Sequence, residues 1–190
     1  VITVYRGVDG ELVGTNSDVD GVAEALTGLD LEGQEVAVIG AGGAARAAFA
    51  VLAERKCAAV HVLARNPEKA VKVADSCGVF GVGVALAADS AALYESMLLI
   101  NATQLGMTGQ ERMPTFVLNE LNELAEGALV FDMVYAPLET DLLAAARRKG
   151  LRTSDGLVML VGQAAVAFGK FFGQPAPREH DAELRALLTA

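Results

Sequence analysis

The chain has 190 residues, 53% of them hydrophobic, which is enough to bury a sizeable core in one large or two small domains. Its formal net charge of −9 and its pI of about 4.7 argue against a nucleic-acid partner, which would need a basic face. The sequence shows no signal peptide and no transmembrane segment, and Cys57 and Cys77 have no metal-ligand spacing. We therefore expect a cytoplasmic protein with free thiols, without a bound metal and without a membrane partner.

The first 33 residues predict a hairpin followed by a helix. Extended runs at residues 2–5 and 11–14 flank Val8-Asp9-Gly10, which is typical of a hairpin turn. A helix is expected to follow through Leu26, with Ser17 or Asp18 as its N-cap, and residues 28–33 are expected to be a connector. Val1 would lie inside the first strand, so we expect the chain to be a piece of a longer protein.

The next stretch is a glycine-rich turn between a strand and a helix. A β-branched apolar run at residues 36–39 leads into Gly40-Ala-Gly-Gly43, and an alanine-rich helix is expected over about residues 44–54. Gly40, Gly42 and Ala45 occupy the three positions of the dinucleotide fingerprint G-x-G-x-x-A. Gly40 would permit the tight turn, Gly42 would let the backbone approach a pyrophosphate, and Ala45 would allow close packing of the helix on the strand.

The amides of Gly42, Gly43 and Ala44 would then point at a phosphate from the N-terminus of that helix. The alternative is a glycine-rich loop that only lets the helix pack tightly. A membrane span is a weaker alternative, because three glycines and Arg46 interrupt the apolar run.

The end of the second predicted strand, residues 59–63, indicates which dinucleotide is bound. An NAD-binding fold places an acidic ribose ligand there, but this chain has Arg65 followed by Asn66. A cation pairs with an adenosine 2′-phosphate, which an acid would repel. Arg65 therefore favours NADP over NAD, the alternative being a solvated surface arginine. His61 in the middle of this strand is expected to be structural.

The rest of the chain alternates helices with strands, which predicts an α/β fold with a doubly wound parallel sheet and right-handed crossovers. Helices are expected at residues 67–76, 87–94, 116–125, 137–149, 156–172 and 179–188. Strands are expected at residues 79–86, 97–100, 128–133 and 151–153.

Asn101 and Thr103 directly follow the strand predicted at residues 97–100. Ligands of open α/β sheets bind outside the carboxyl ends of the strands, so these side chains could meet a nicotinamide ribose. Asn101 could equally satisfy the backbone of its own loop. Gln163 is the neutral polar side chain in the middle of the long apolar helix at residues 156–172, where it could simply bond neighbouring backbone.

Five motifs occur in the order found in one known family. They are Gly14-Thr-Asn-Ser-Asp18, Gly40-Ala-Gly-Gly-Ala-Ala-Arg46, Asn101-Ala-Thr-Gln-Leu-Gly-Met107, Asp132-Met-Val-Tyr135 and Asp155-Gly-Leu-Val-Met-Leu-Val-Gly-Gln163. Over nearly its whole length the chain resembles the cofactor-binding part of a shikimate dehydrogenase. That family reduces 3-dehydroshikimate to shikimate with NADPH, in a cleft between an N-terminal substrate domain and a C-terminal Rossmann domain.

The resemblance implies three segments and a small-molecule substrate. Residues 1–30 would be the remnant of the substrate domain with a hinge helix, residues 31–155 the NADP-binding Rossmann domain, and residues 156–190 C-terminal helices packing back toward the substrate domain.

The resemblance also implies a role for each candidate site residue. The pyrophosphate would be held by Gly40, Ala41, Gly42, Gly43 and Ala44. The adenosine 2′-phosphate would be met by Arg65 and Asn66, and the nicotinamide side lined by Met133 and Gly156. The substrate would be faced by Asp18, Tyr135 and Gln163, with Asp18 as the catalytic partner of a lysine in moving the proton.

The chain departs from the family pattern in two places. The family usually has Asn-Arg-Thr where this chain has Ala64-Arg65-Asn66. Asn66 can still donate to a phosphate, so the preference for NADP is expected to survive in a weaker form. The catalytic lysine, the serine pair and the asparagine of the substrate domain have no match here. Alternatives are therefore a quinate/shikimate dehydrogenase that uses NAD, and a non-catalytic module that senses a nucleotide or dehydroshikimate or serves as a dimerising piece. A homodimer is a further expectation.

Overall fold

The structure is a computed structural model that describes residues 2–86 and 91–188. The described residues form strands β1 (Ile2–Arg6), β2 (Leu12–Asn16), β3 (Glu35–Ile39), β4 (Ala59–Ala64), β5 (Gly81–Ala85), β6 (Leu98–Asn101), β7 (Leu129–Asp132) and β8 (Arg152–Ser154). The helices are α1 (Ser17–Ala25), α2 (Gly43–Glu54), α3 (Pro67–Ser76), α4 (Thr115–Glu120), α5 (Asp141–Arg148), α6 (Gly156–Phe172) and α7 (Asp181–Leu188).

The six strands β3 to β8 form one parallel sheet in the order β5-β4-β3-β6-β7-β8, and β1 and β2 form a separate antiparallel hairpin. Strands β4 and β5 lie on one side of β3, and β6 to β8 lie on its other side, with β6 paired directly to β3. This order is that of a doubly wound Rossmann fold, so the predicted fold class is confirmed. In such a sheet the ligand crevice lies at the carboxyl ends of β3 and β6.

The sheet is buried on both faces because successive side chains of each strand point to opposite sides. In β3, Val36 and Val38 pack in a core cluster with α1, α2 and α3, whereas Ala37 and Ile39 pack in a second cluster with α4 and α5. All four are fully buried. This explains why the strand reads as a continuous apolar run.

Helices α1 and α6 pack closely through glycines. A Cβ on Gly21 of α1 would lie 2.5 Å from the Met159 carbonyl oxygen, and a Cβ on Gly162 of α6 would lie 2.7 Å from the Glu24 carboxylate. Residues 21 and 24 of α1 thus meet residues 159 and 162 of α6 where the two helices pack together. Val22 and Met159 enter the same core cluster as the sheet.

Two arginines of the C-terminal segment bind it to helices α1 and α6. Arg185 pairs with Asp155, with Nη1 at 3.1 Å from Oδ1, and Arg178 pairs with Glu24, with Nη1 at 3.0 Å from Oε2. Over residues 2–86 and 91–188, no helix combines the length and the apolar character needed to cross a bilayer. Cys57 and Cys77 are both free, as expected, and burial raises the pKa of the Cys57 thiol to about 11.

The prediction for the start of α1 is wrong in one detail. The N-cap is Asn16, whose side chain accepts a hydrogen bond from the Asp18 amide at 3.2 Å. The hydroxyl of Ser17 instead lies 3.0 Å from the hydroxyl of Thr3 and ties the hairpin to the helix. Asp18 lies in the first turn, where a carboxylate complements the helix dipole.

Other predicted helices begin or end differently. Helix α5 begins at Asp141 rather than Pro137, because Thr140 caps it by accepting from the Leu143 amide at 3.2 Å. Single 3₁₀ turns follow α4 and precede α7, at Leu121–Glu123 and Arg178–His180. Of the helix predicted at residues 87–94, residues 87–90 lie outside the described residues, and Ala91–Leu93 forms a 3₁₀ turn.

Candidate functional site

The glycine-rich turn leaves β3 at the carboxyl edge of the sheet and opens α2. Gly40 has φ +100° and its amide donates to the Leu63 carbonyl at 2.9 Å, which ties the turn to the end of β4. Gly42 is the N-cap of α2 and has no side chain with which to cap it. The first amides of α2 therefore lack side-chain acceptors, as a phosphate-binding helix N-terminus requires.

The glycines of this turn are needed for different reasons. A Cβ on Gly40 would lie 2.6 Å from Cγ2 of Thr103, and its φ lies in the left-handed region, so a side chain there would strain the turn. Gly42 has φ −85°, and a Cβ on it would meet nothing within 4 Å. The protein therefore does not need glycine at residue 42 for its own packing, and the open space above it is available to a ligand.

A cleft of about 400 Å³ lies along this turn. It runs from Gly40 and Gly42 to Arg65, Asn66 and Lys69, at the end of β4 and the start of α3. Lys69 was missed by the sequence analysis, although it stands four residues after Arg65. Lys69 lies in the first turn of α3 and Arg65 directly precedes the N-cap of that helix, so both border the same cleft.

Arg65 and Asn66 are both exposed at the rim of this cleft. Among the described residues the Arg65 guanidinium makes no hydrogen bond or ion pair. Asn66 caps α3, its side-chain oxygen accepting from the Lys69 amide at 3.0 Å, which leaves its amide nitrogen to donate. The prediction that both residues contact a ligand stays a prediction, and the geometry leaves both able to do so.

Asn101 and Thr103 organise the loop after β6. Asn101 is fully buried, and its side-chain amide donates to the Leu105 carbonyl at 3.0 Å and to Asp132 Oδ1 at 2.9 Å. Its side-chain oxygen accepts from the amide and hydroxyl of Thr103, at 3.1 and 2.7 Å. A direct contact of Asn101 with a ligand would require this network to open. Thr103, by contrast, lines the cleft beside Gly40.

Asp132 is a buried carboxylate in the motif Asp132-Met-Val-Tyr135, and its role was not predicted from the sequence. Besides Asn101, it accepts from the Val134 amide at 3.0 Å and from the Thr140 hydroxyl at 2.7 Å. Burial raises the pKa of the Asp132 carboxyl to about 6, although these hydrogen bonds oppose the rise. Asp132 thus joins the loops after β6 and β7 to the start of α5.

The residues expected on the nicotinamide side meet behind this network. Gly156 begins α6, and a Cβ on it would lie 2.3 Å from the Met133 carbonyl oxygen, so α6 starts directly against the loop after β7. Asp18 precedes Gly21 by three residues, as Gly156 precedes Met159. Asp18 thus lies about one turn before the glycine through which α1 contacts Met159 of α6.

The other two expected substrate residues are more separate. Tyr135 is 57% exposed in the loop after β7. Gln163 is partly buried and lies seven residues beyond Gly156, or roughly 10 Å along α6. The structure therefore brings Met133 and Gly156 together at the start of α6, with Gln163 two turns further along that helix.

Comparisons with known proteins assign the family. The family model described as shikimate / quinate 5-dehydrogenase matches residues 21–131, and the model of the shikimate 5′-dehydrogenase C-terminal domain matches residues 156–183. The chain belongs to the shikimate / quinate 5-dehydrogenase family. The family resemblance expected from the five motifs is confirmed.

Relatives within the family include both cofactor types. The chain is 50% identical to the shikimate dehydrogenase (NADP(+)) of Sphingopyxis alaskensis over 188 residues, covering 99% of this chain and 66% of the relative. A crystal structure of shikimate 5-dehydrogenase from Thermus thermophilus, in complex with NADP(H) and shikimate, is 34% identical with a TM-score of 0.74. That alignment covers 94% of this chain and 65% of the other.

A third relative differs in substrate and cofactor. It is the quinate dehydrogenase of Corynebacterium glutamicum in complex with NAD, 28% identical with a TM-score of 0.76, covering 96% of this chain and 66% of that one. The chain spans 61–66% of the length of the first curated relatives that it matches.

Proposed function

We propose that this chain is the NADP-binding part of a cytoplasmic shikimate dehydrogenase, which reduces 3-dehydroshikimate to shikimate. The observation that carries the proposal is Arg65, an exposed guanidinium without a protein partner among the described residues, at the rim of the glycine-lined cleft. The 50% identity to the relative from Sphingopyxis alaskensis supports the same cofactor and substrate.

The residues of the cleft fit a dinucleotide with a 2′-phosphate. The open space above Gly42 admits a diphosphate that a side chain there would exclude, and the amides of Gly42, Gly43 and Ala44 supply donors for it. Arg65 pairs with the 2′-phosphate through charge-assisted hydrogen bonds, and the Asn66 amide adds a neutral donor. Ala41 completes the turn.

When bound, NADPH supplies the hydride for the ketone carbon. Met133 and Gly156 form the wall against which the nicotinamide rests, and their close packing fixes the position of that wall. Tyr135 and Gln163 orient the substrate through its hydroxyl groups. Asn101 affects cofactor binding indirectly, because its hydrogen bonds fix the loop after β6. Thr103, in the same loop, lines the cleft directly.

Reduction of a ketone also requires a proton at the forming hydroxyl oxygen. We assign Asp18 to this step as the carboxylate that holds and orients the proton donor. Asp18 lies partly buried in the first turn of α1, about one turn before the contact of Gly21 with Met159. The family pattern pairs it with a lysine for which this chain has no matching residue, so isolated residues 1–190 are expected to bind NADPH but to turn over poorly.

The division into residues 1–30, 31–155 and 156–190 stays a prediction, as does a homodimer. Helices α1 and α6 lie on either side of the middle segment in sequence yet share its core, so the three segments would fold together. An NAD-dependent quinate dehydrogenase is the alternative function, and Arg65 disfavours it because NAD offers that cation no phosphate.

Titration of the purified chain with NADPH and with NADH, followed by nicotinamide fluorescence, tests the proposal. Arg65→Asp should weaken NADPH binding by about 10-fold or more, since a charged hydrogen bond contributes roughly 1.5–3 kcal/mol, and should leave NADH binding intact or improved. Equal affinity of the unsubstituted chain for both cofactors would refute an NADP-dependent function.

A further inference from the structure

A second cleft of about 600 Å³ continues from the first beyond Arg65. Arg65, Leu86 and Thr103 border both clefts, so the two form one continuous groove along the carboxyl edge of the sheet. The far side of the second cleft is formed by the loop after β6, where Arg112 borders it. Arg65 and Arg112 therefore stand on two different loops around the same space.

The backbone of Arg112 is held firmly on both sides. The carbonyl oxygen of Glu111 accepts from the Gly106 amide at 2.7 Å, and the Met113 amide donates to Asp141 Oδ2 at 3.2 Å. The Met113 side chain is buried in the core cluster next to α4 and α5. Arg112 thus projects from a fixed position although its own side chain is exposed.

The guanidinium of Arg112 has no protein partner in residues 2–86 and 91–188. It also borders a small neighbouring cleft that contains Glu139 and Asp141, but Glu139 is paired with Arg147. The carboxylate of Asp141 is occupied by the amides of Met113 and of the residue after Asp141. Neither carboxylate of that cleft forms an ion pair with Arg112.

The charge of the groove is opposite to that of the protein. The chain as a whole carries −9, yet the charged side chains that border the two clefts are three cations, Arg65, Lys69 and Arg112, and one anion, Glu111. An excess of unpaired cations in an acidic protein indicates a site for an anion. Two guanidinium groups on separate loops can each bind oxygens of one phosphate.

We propose that Arg112 is a second arginine for the adenosine 2′-phosphate and a specificity-determining residue for NADP. The inference rests on the proposed function and adds a residue from the loop after β6 that borders the same cleft as Arg65. Arg65 donates hydrogen bonds to some of the phosphate oxygens, and Arg112 donates to the others. NAD carries a neutral hydroxyl at this point and gains little from either cation.

The test compares Arg112→Gln with the unsubstituted chain, using NADPH, NADH and adenosine 2′-phosphate as probes in calorimetric titrations. Removal of one charged hydrogen-bonding partner should raise the Kd of NADPH and of adenosine 2′-phosphate about 10-fold and leave that of NADH within about 2-fold. Arg152→Gln is the matched control, since Arg152 is exposed at the amino end of β8, on the opposite edge of the sheet.

Arg112→Lys keeps the charge and should recover part of the lost affinity, which a purely structural role would not predict. Unchanged NADPH affinity in Arg112→Gln, or equal losses for NADPH and NADH, would overturn the inference, the second result pointing to a contact with the base instead. If the unsubstituted chain bound neither cofactor, both the proposed function and this inference would fail. If the unsubstituted chain preferred NADPH and the Arg112 variants bound it equally well, only this inference would fail and the proposed function would stand.

Discussion

The substitution Gly42→Ala separates the stability of the turn from its binding of a dinucleotide. Gly42 has φ −85° and ψ −162°, which alanine adopts readily, and its Cβ would meet nothing within 4 Å. Alanine reduces the entropy of the unfolded chain, which stabilises by about 0.4–1 kcal/mol. It is also a poorer N-cap than glycine, which costs a similar amount. The free energy of unfolding should therefore change by less than about 1 kcal/mol.

The same methyl group would enter the space that a diphosphate requires. Forcing one extra methyl into a filled site typically costs about 1–3 kcal/mol, so the Kd of NADPH should rise by roughly 5- to 150-fold. Adenosine 2′-phosphate has no diphosphate, and its affinity should be unchanged. Urea unfolding measures the first quantity, and calorimetric titration measures the other two.

Gly40→Ala is the matched control within the same turn. Its φ of +100° and the 2.6 Å approach to Thr103 should destabilise the fold by about 2–5 kcal/mol, from backbone strain and overpacking together. The reasoning is refuted if Gly42→Ala binds NADPH as tightly as the parent chain, or if it unfolds as easily as Gly40→Ala.

Two further predictions concern the residues behind the cleft. Burial raises the pKa of Asp132 from 3.8 to about 6. Between these pH values the folded chain therefore binds more protons than the unfolded chain. As the pH rises through this window, the free energy of unfolding should fall by about 3 kcal/mol because of this group. Asp132→Asn should remove that slope, and urea unfolding of both proteins at pH 4.5 and 6.5 checks it; parallel slopes would contradict the assignment. Gly156→Ala places a Cβ 2.3 Å from the Met133 carbonyl oxygen and should lower the free energy of unfolding by about 2 kcal/mol. It should also weaken the binding of NADPH more than the binding of adenosine 2′-phosphate. Equal losses of affinity for the two ligands would contradict this expectation.

The sheet and its glycine-rich turn could be predicted because their causes are local. The β-branched run of β3 and the alanine-rich sequence of α2 each specify one element, and the glycines between them specify the turn. The alternation of such units then leaves few possible topologies for the sheet. Arg65 could be located for the same reason, since it follows β4 directly.

The details that failed depend on contacts distant in sequence. Asn16, Ser17 and Asp18 are all residue types that cap helix N-termini. Asn16 is the N-cap of α1 because the hydroxyl of Ser17 is hydrogen-bonded to Thr3 in the hairpin. In α5, Thr140 caps the helix while its hydroxyl also reaches Asp132. No local pattern indicates such a bond.

The groove that we propose for the 2′-phosphate could be predicted only in part from the sequence. Lys69 lies within one helical turn of Arg65 and could have been found from that spacing. Arg112 lies 47 residues after Arg65 in sequence, on the loop that follows another strand, and only the pairing of β3 with both β4 and β6 brings the two loops to one edge of the sheet.

The most direct measurement is a crystal structure of this chain grown with NADP⁺. We predict that the diphosphate lies over Gly42 within hydrogen-bonding distance of the amides of Gly43 and Ala44, and that the 2′-phosphate contacts the Arg65 guanidinium. A dinucleotide bound with its 2′-phosphate directed into solvent, or a diphosphate away from the glycine-rich turn, would contradict the account.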